Sequence, residues 1–184
     1  LEMAERIDFT GEEIMFSSND TPAEEFVKAK ELGAIINLDD ISHIDYLEKA
    51  AGIPSLICFR YNPGPTRKGN EIIGKPEEAK YGLTRDQMFE AYKIVKKKGA
   101  KRFGMHTMII SNELNEDYFI ETARMMFELA IDVYNKTGVK VEFVNLGGGI
   151  GIPYKPEQKP ISYQKIAEGV KKAYDEIIVK NKLN

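Results

Sequence analysis

Asn145-Leu146-Gly147-Gly148-Gly149-Ile150-Gly151 places four glycines in five positions directly after an apolar run. A bound phosphate needs backbone N–H groups aimed at one point with no Cβ in the way, and consecutive glycines supply both. A tight turn at a sheet edge is the plainer use of glycine, but a turn rarely needs so many. No Gly-Lys-Ser/Thr follows, and the spaced dinucleotide fingerprint is missing, so the phosphate of a small cofactor fits best. His106 closes the run Arg102-Phe103-Gly104-Met105-His106-Thr107 and is either a hydrogen-bonded structural residue or a catalytic one. Arg60 ends the run Ser55–Arg60, where it could pair with Asp39 or Asp40 or contact an anion or a ring nitrogen. Asp39 and Asp40 follow a strand and read as helix-capping acids. Cys58 reads as a small buried hydrophobe, Lys80 as a solvated lysine ahead of a helix cap, and His43 as a surface residue. His106 is thereby left without a second histidine, which argues against a His-rich metal site.

The elements that must position these residues alternate between short apolar runs and longer helical patterns, the signature of βα units and a parallel sheet. Strands are expected over residues 13–17, 34–38, 55–60, 102–107 and 141–146. Helices are expected over about 22–32, 42–51, 84–98, 115–137 and 162–181, with Gly33, Gly99 and Gly138 as stops. Asp20 or Thr21 caps the first of these, with Pro22 in its first turn; Thr84 and Gln87 form a capping box for the third. Residues 62–80, rich in Pro and Gly, make a long connection that is either functional or mobile. By pattern alone, five strand–helix units favour an open parallel sheet, because a closed barrel needs eight strands and about 250 residues.

Composition sets the outer bounds. The 184 residues suit one domain, and a 42% hydrophobic content is enough for a real core. With 26 Lys and Arg against 29 Asp and Glu, the net charge of −3 offers no footing for nucleic acid. One Cys excludes an intrachain disulfide framework and any multi-cysteine metal cluster. No apolar run approaches a membrane span, and a cytoplasmic protein is expected. The chain opens on Leu1-Glu2-Met3-Ala4-Glu5-Arg6-Ile7, an uncapped helical pattern without an initiator Met, as expected of a piece of a longer polypeptide.

Phe143-Val144-Asn145-Leu146-Gly147-Gly148-Gly149-Ile150-Gly151-Ile152-Pro153-Tyr154 resembles the glycine motif of the diaminopimelate decarboxylases, fold type III pyridoxal-phosphate enzymes related to alanine racemase. Phe103-Gly104-Met105-His106 resembles the family strand that carries the ring-stacking histidine. The segments 16–21, 34–40 and 59–64 are similar to its preceding strands in the right order, and Ala79-Lys80-Tyr81-Gly82-Leu83 to its Lys-Phe-Gly segment. The resemblance covers nearly the whole chain.

It implies a partial (β/α)₈ barrel, in which these five strands are the family's third to seventh and residues 1–184 are a single pyridoxal-phosphate-binding barrel domain. Gly147, Gly148 and Gly149 would hold the cofactor phosphate, His106 would stack on the pyridine, Arg60 would stand near the ring, and Ser111 would be a further phosphate ligand. No metal is implied. The reaction would be decarboxylation of an amino acid through an enzyme lysine, meso-diaminopimelate giving L-lysine and CO₂, by a homodimer. The family's Tyr-Ala-x-Lys segment with that lysine does not occur in this sequence, nor do its acid–Pro–Gly–Arg segment, its catalytic Cys or its C-terminal β domain. Thr107-Met108-Ile109-Ile110-Ser111 also stands where the family usually has a Gly-Ser pair. This chain alone is therefore expected to be inactive. The alternatives are a non-catalytic pyridoxal-phosphate-binding or racemase-like barrel, a decarboxylase acting on ornithine or arginine, and an independent flavodoxin-like domain.

Overall fold

The computed structural model describes residues 1–67, 69, 75–78 and 81–184. Five strands are present: β1 (Met15–Ser17), β2 (Ile35–Leu38), β3 (Leu56–Tyr61), β4 (Arg102–Thr107) and β5 (Phe143–Asn145). They lie in the sheet order β1-β2-β3-β4-β5, and every neighbouring pair is parallel. The helices are α1 (Glu2–Arg6), α2 (Ala23–Glu31), α3 (His43–Ala50), α4 (Arg85–Lys97), α5 (Glu116–Thr137) and α6 (Tyr163–Tyr174). A doubly wound sheet reverses its strand order at a switch point. Here the order never reverses, as in a barrel.

Side chains alternate across each strand and so sort into two faces. Ile57, Phe59 and Tyr61 of β3 and Phe103 and Met105 of β4 pack into the helix-facing core with Met88, Tyr92 and Met126. The residues between them, Cys58 and Arg60 on β3 and Gly104 and His106 on β4, point to the opposite, concave face. That face is strongly curled. Neighbouring strands stand about 4.8 Å apart, so the outer strands of a flat five-stranded sheet would be about 19 Å apart. Yet Asn145 of β5 donates its Nδ2 hydrogen bond to Met15 Sδ of β1 at 3.1 Å. At the other end of the strands, Arg102 at the start of β4 donates to Glu12 just before β1. The sheet is a curled half-barrel: the partial barrel implied by the resemblance is observed, and the open sheet favoured by pattern alone is corrected.

Helix ends largely follow their residues. Thr84 and Gln87 form the expected capping box on α4, Asn115 Oδ1 accepts from Asp117 N at the start of α5, and Gly138 closes α5 with φ of 63°. At α2 the cap differs: Pro22 itself is the N-cap and the helix starts at Ala23, too far on for Thr21 to reach the free N–H groups. Strands β1 and β5 are each three residues long, shorter than expected, because a 3₁₀ turn occupies Gly11–Glu13 and residues 141–142 lie outside the ladder. The last helix passes into a π-helical turn over Asp175–Val179. His43 corrects the sequence reading. As the first residue of α3 it leans back over the preceding turn, where its Nδ1 lies 3.3 Å from the buried Asp39 carboxylate. Asp39 is thus a buried partner of His43, while Asp40 accepts from Ser42 N and Oγ in the turn ahead of α3; Ser42, not either Asp, is the N-cap of that helix.

Candidate active site

The concave face brings one row of polar residues to the C-terminal edge of the sheet. Arg60 of β3 is in register with His106 of β4, which is in register with Asn145 of β5. In parallel α/β folds this edge carries the ligand site. The strands ending in Arg60, His106 and Asn145 have apolar residues on their helix-facing side, so the polar termini are forced onto the other face.

His106 is half-buried, and its Nδ1 is enclosed without a hydrogen-bond partner. Burial, and then the charge of Arg60, hold the imidazole below its ordinary pKa, while the neighbouring Asn145 acts the other way. A neutral, flat ring results at pH 7. Arg60 does not pair with Asp39 or Asp40, as its plainer reading had it; its Nη2 donates to the Met108 carbonyl at 2.9 Å, and its guanidinium lies 5.5 Å from the Tyr81 ring centre. Burial lowers its pKa, Asp39 and Tyr81 opposing. Asp39 itself is raised from its ordinary pKa by burial, against the pull of His43 and Arg60.

The glycine loop lies directly beside this row. Gly147 and Gly149 have φ of 77° and 83°, a region that side chains rarely adopt. A Cβ on Gly147 would come within 2.3 Å of the Thr107 carbonyl oxygen, and one on Gly149 within 2.2 Å of that of Ile110. Gly151 is pressed less tightly, with the Asn112 backbone 2.7 Å from where its Cβ would be. These three glycines therefore let the loop after β5 lie on the segment after β4. Glu113 N donates to Gly149 O and Gly151 N to Glu113 O, and these two bonds lock the contact. Gly148 alone has open space where its Cβ would be. Asn145 Oδ1 accepts from Gly147 N at 2.8 Å, and Met108 Sδ accepts from Gly148 N at 3.3 Å.

The structure thus brings together Arg60, His106 and Gly147–Gly149. Ser111 sits on the same segment, between Ile110 and Asn112, which touch the glycines. Lys80 lies outside the described residues. Among the described residues no group of three or more His, Cys, Asp or Glu could hold a metal ion. No helix among them is long and apolar enough to cross a membrane. Two members of the site, Asn145 and Met108, were given no role in the sequence reading. Asn145 had a signal, being the one polar residue at the end of a buried strand just before the glycines. Met108 had none, since an unbranched apolar residue is usually core.

Residues 1–183 match the family model for the pyridoxal-binding domain of pyridoxal-dependent decarboxylases. The chain belongs to this family. Pyridoxal phosphate is accordingly its cofactor, and the residues present fit that group. The enclosed, unpartnered nitrogen and neutral ring of His106 suit an electron-poor aromatic face. The Gly148 N–H, held only by a weak sulfur acceptor, suits a phosphate oxygen. Among curated relatives, Protein TabA of Pseudomonas amygdali pv. tabaci is 30% identical over 173 residues, which cover 94% of this chain and 40% of that protein. The diaminopimelate decarboxylase of Methanothermobacter thermautotrophicus is 30% identical over 164 residues, covering 88% and 38%. The chain therefore spans about two-fifths of the length of those relatives. Among solved structures, diaminopimelate decarboxylase from M. jannaschii in co-complex with L-lysine superposes with a TM-score of 0.83 at 24% identity, over 96% of this chain and 43% of that one. The Helicobacter pylori enzyme complexed with L-lysine gives 0.80 at 24% identity, over 94% and 45%. These likenesses identify the half-barrel as part of the decarboxylase barrel fold.

Proposed function

We propose that the whole protein is a pyridoxal-phosphate-dependent carboxy-lyase of lysine biosynthesis that converts meso-diaminopimelate to L-lysine and CO₂, working as a cytoplasmic homodimer. The observation that carries this reading is the convergence, at one sheet edge, of a neutral His106, Arg60 and the Gly147–Gly149 loop in a chain of this family. Several relatives named diaminopimelate decarboxylase support the choice of substrate.

The bound cofactor supplies an electron sink that allows an amino acid to lose its carboxylate as CO₂. The residues of this chain bind and orient it. Backbone N–H groups of the Gly147–Gly149 loop would hold the phosphate, with Ser111 as a further ligand. His106 would lie against the ring as an uncharged plane, and Arg60 would fix the Met108 carbonyl that borders the loop while adding positive potential beside the ring. The 184 residues alone would not turn over substrate, because no lysine here stands in a Tyr-Ala-x-Lys segment.

The test is CO₂ release by the full-length protein from meso-diaminopimelate, with L-ornithine, L-arginine and L-lysine offered separately. Preferential turnover of diaminopimelate is expected. Turnover of ornithine or arginine instead would replace the substrate assignment, and tight cofactor retention without any turnover would make the protein a non-catalytic carrier. Borohydride reduction of the 184-residue chain after addition of pyridoxal phosphate checks its inactivity. A stoichiometric lysine adduct within it would overturn that claim.

A further inference from the structure

Met108 occupies a position that no glycine-loop reading accounts for. Its Sδ accepts the hydrogen bond of Gly148 N at 3.3 Å and would lie 3.2 Å from a Cβ on Gly147. The thioether therefore sits in front of the Gly148 N–H, while the Cβ side of Gly148 has nothing within 4 Å. The backbone of Met108 is pinned separately, because Arg60 Nη2 donates to its carbonyl at 2.9 Å. A backbone held by Arg60 with an unbranched side chain is the construction of a movable cap. Met has three side-chain torsions below a stem that need not shift.

The energetics run in the same direction. A thioether sulfur is a weak acceptor, whereas a phosphate oxygen receives a charge-assisted bond that is roughly twice as strong as a neutral one. An arriving phosphate can therefore displace the sulfur from Gly148 N–H, while in its absence the N–H is not left bare. We propose that Met108 is a positioning residue that caps the Gly148 N–H in the free protein and swings away when the cofactor phosphate binds, so that it tunes cofactor affinity. This rests on the reading of Gly147–Gly149 as the phosphate cradle.

Pyridoxamine 5′-phosphate, which cannot condense with a lysine, and phosphate-free pyridoxamine are the probes, with binding to the full-length protein followed by their own fluorescence. Removing the cap in Met108→Ala should tighten binding of pyridoxamine phosphate by about two- to tenfold, the range for one neutral hydrogen bond no longer competed for. Binding of pyridoxamine should not change. In the unsubstituted protein labelled at methionine ε-methyl carbons, the Met108 resonance, assigned as the one lost in that variant or in Met108→Leu, should shift on addition of pyridoxamine phosphate and stay put with pyridoxamine. This second measurement holds even if Met108→Ala does not fold. Unchanged or weaker binding by folded Met108→Ala, or a Met108 methyl that does not move while pyridoxamine phosphate binds, overturns the capping role and leaves the cradle standing. Failure of every form to prefer the phosphorylated probe overturns both.

Discussion

His106 concentrates the electrostatics of the site. It is enclosed among β-strand ends, next to a buried cation, and both influences disfavour the imidazolium. Its folded pKa lies below the ordinary value, so between that value and the folded one the unfolded chain binds more protons. Stability conferred by the neutral ring is complete above about pH 6.5 and declines as pH falls toward the folded pKa. Arg60→Gln removes the second cause and retains the first. The expected outcome is a His106 titration midpoint, followed by NMR of the ring carbon protons, that sits below 6.5 in the parent and rises in the variant. A midpoint that does not respond to Arg60→Gln would mean that burial alone sets it, and that Arg60 acts only through its bond to Met108.

At the scale of elements, the loop after β5 and the segment after β4 form one unit. Glu113 and Ile150 make an isolated parallel bridge, Asn112 Oδ1 accepts from Ile152 N, and three glycines press on carbonyls and backbone across the seam. Gly147 and Gly149 are constrained twice, by their positive φ and by a backbone oxygen where a Cβ would go, whereas Gly148 is constrained by neither. Gly147→Ala or Gly149→Ala should each cost about 1–3 kcal/mol of stability, measured by urea unfolding. Gly148→Ala should unfold within about 0.5 kcal/mol of the parent yet bind pyridoxamine phosphate more weakly, since its methyl enters the clear space. Equal destabilisation by all three would assign the whole motif to packing.

The whole molecule is a half-barrel with an outer strand on each side. Among the described residues β1 pairs only with β2 and β5 only with β4, so each presents one unpaired edge. Beside β5, Val141, Phe143 and Val144 line a cleft of about 470 Å³ together with Phe127, Tyr134 and Tyr174. Unpaired edges next to apolar surface promote association. The isolated 184-residue chain is expected to self-associate, with a light-scattering mass above that of one chain and rising with concentration. A cooperative monomer across the range would instead mean that the half-barrel is self-sufficient.

Much of this protein was readable from local pattern. The five strand positions, the Thr84 capping box, the stop at Gly138 and the span of α5 all follow from forces acting within a few residues: propensity, capping and side-chain alternation. The glycine run and His106 were visible as chemistry because their residue types are unusual at strand ends. Thr21, His43 and Asp39 were misread because capping and burial there turn on which way one turn faces. Local pattern points to an open sheet and only the motif resemblance implies a partial barrel; the curl itself belongs to tertiary structure. It shows in contacts such as Asn145 to Met15, 130 positions apart, which no local period encodes. The same holds for the roles of individual glycines and of Met108. Only the packing of two loops separated by a 22-residue helix decides which glycine must lack a Cβ and which N–H a thioether can reach.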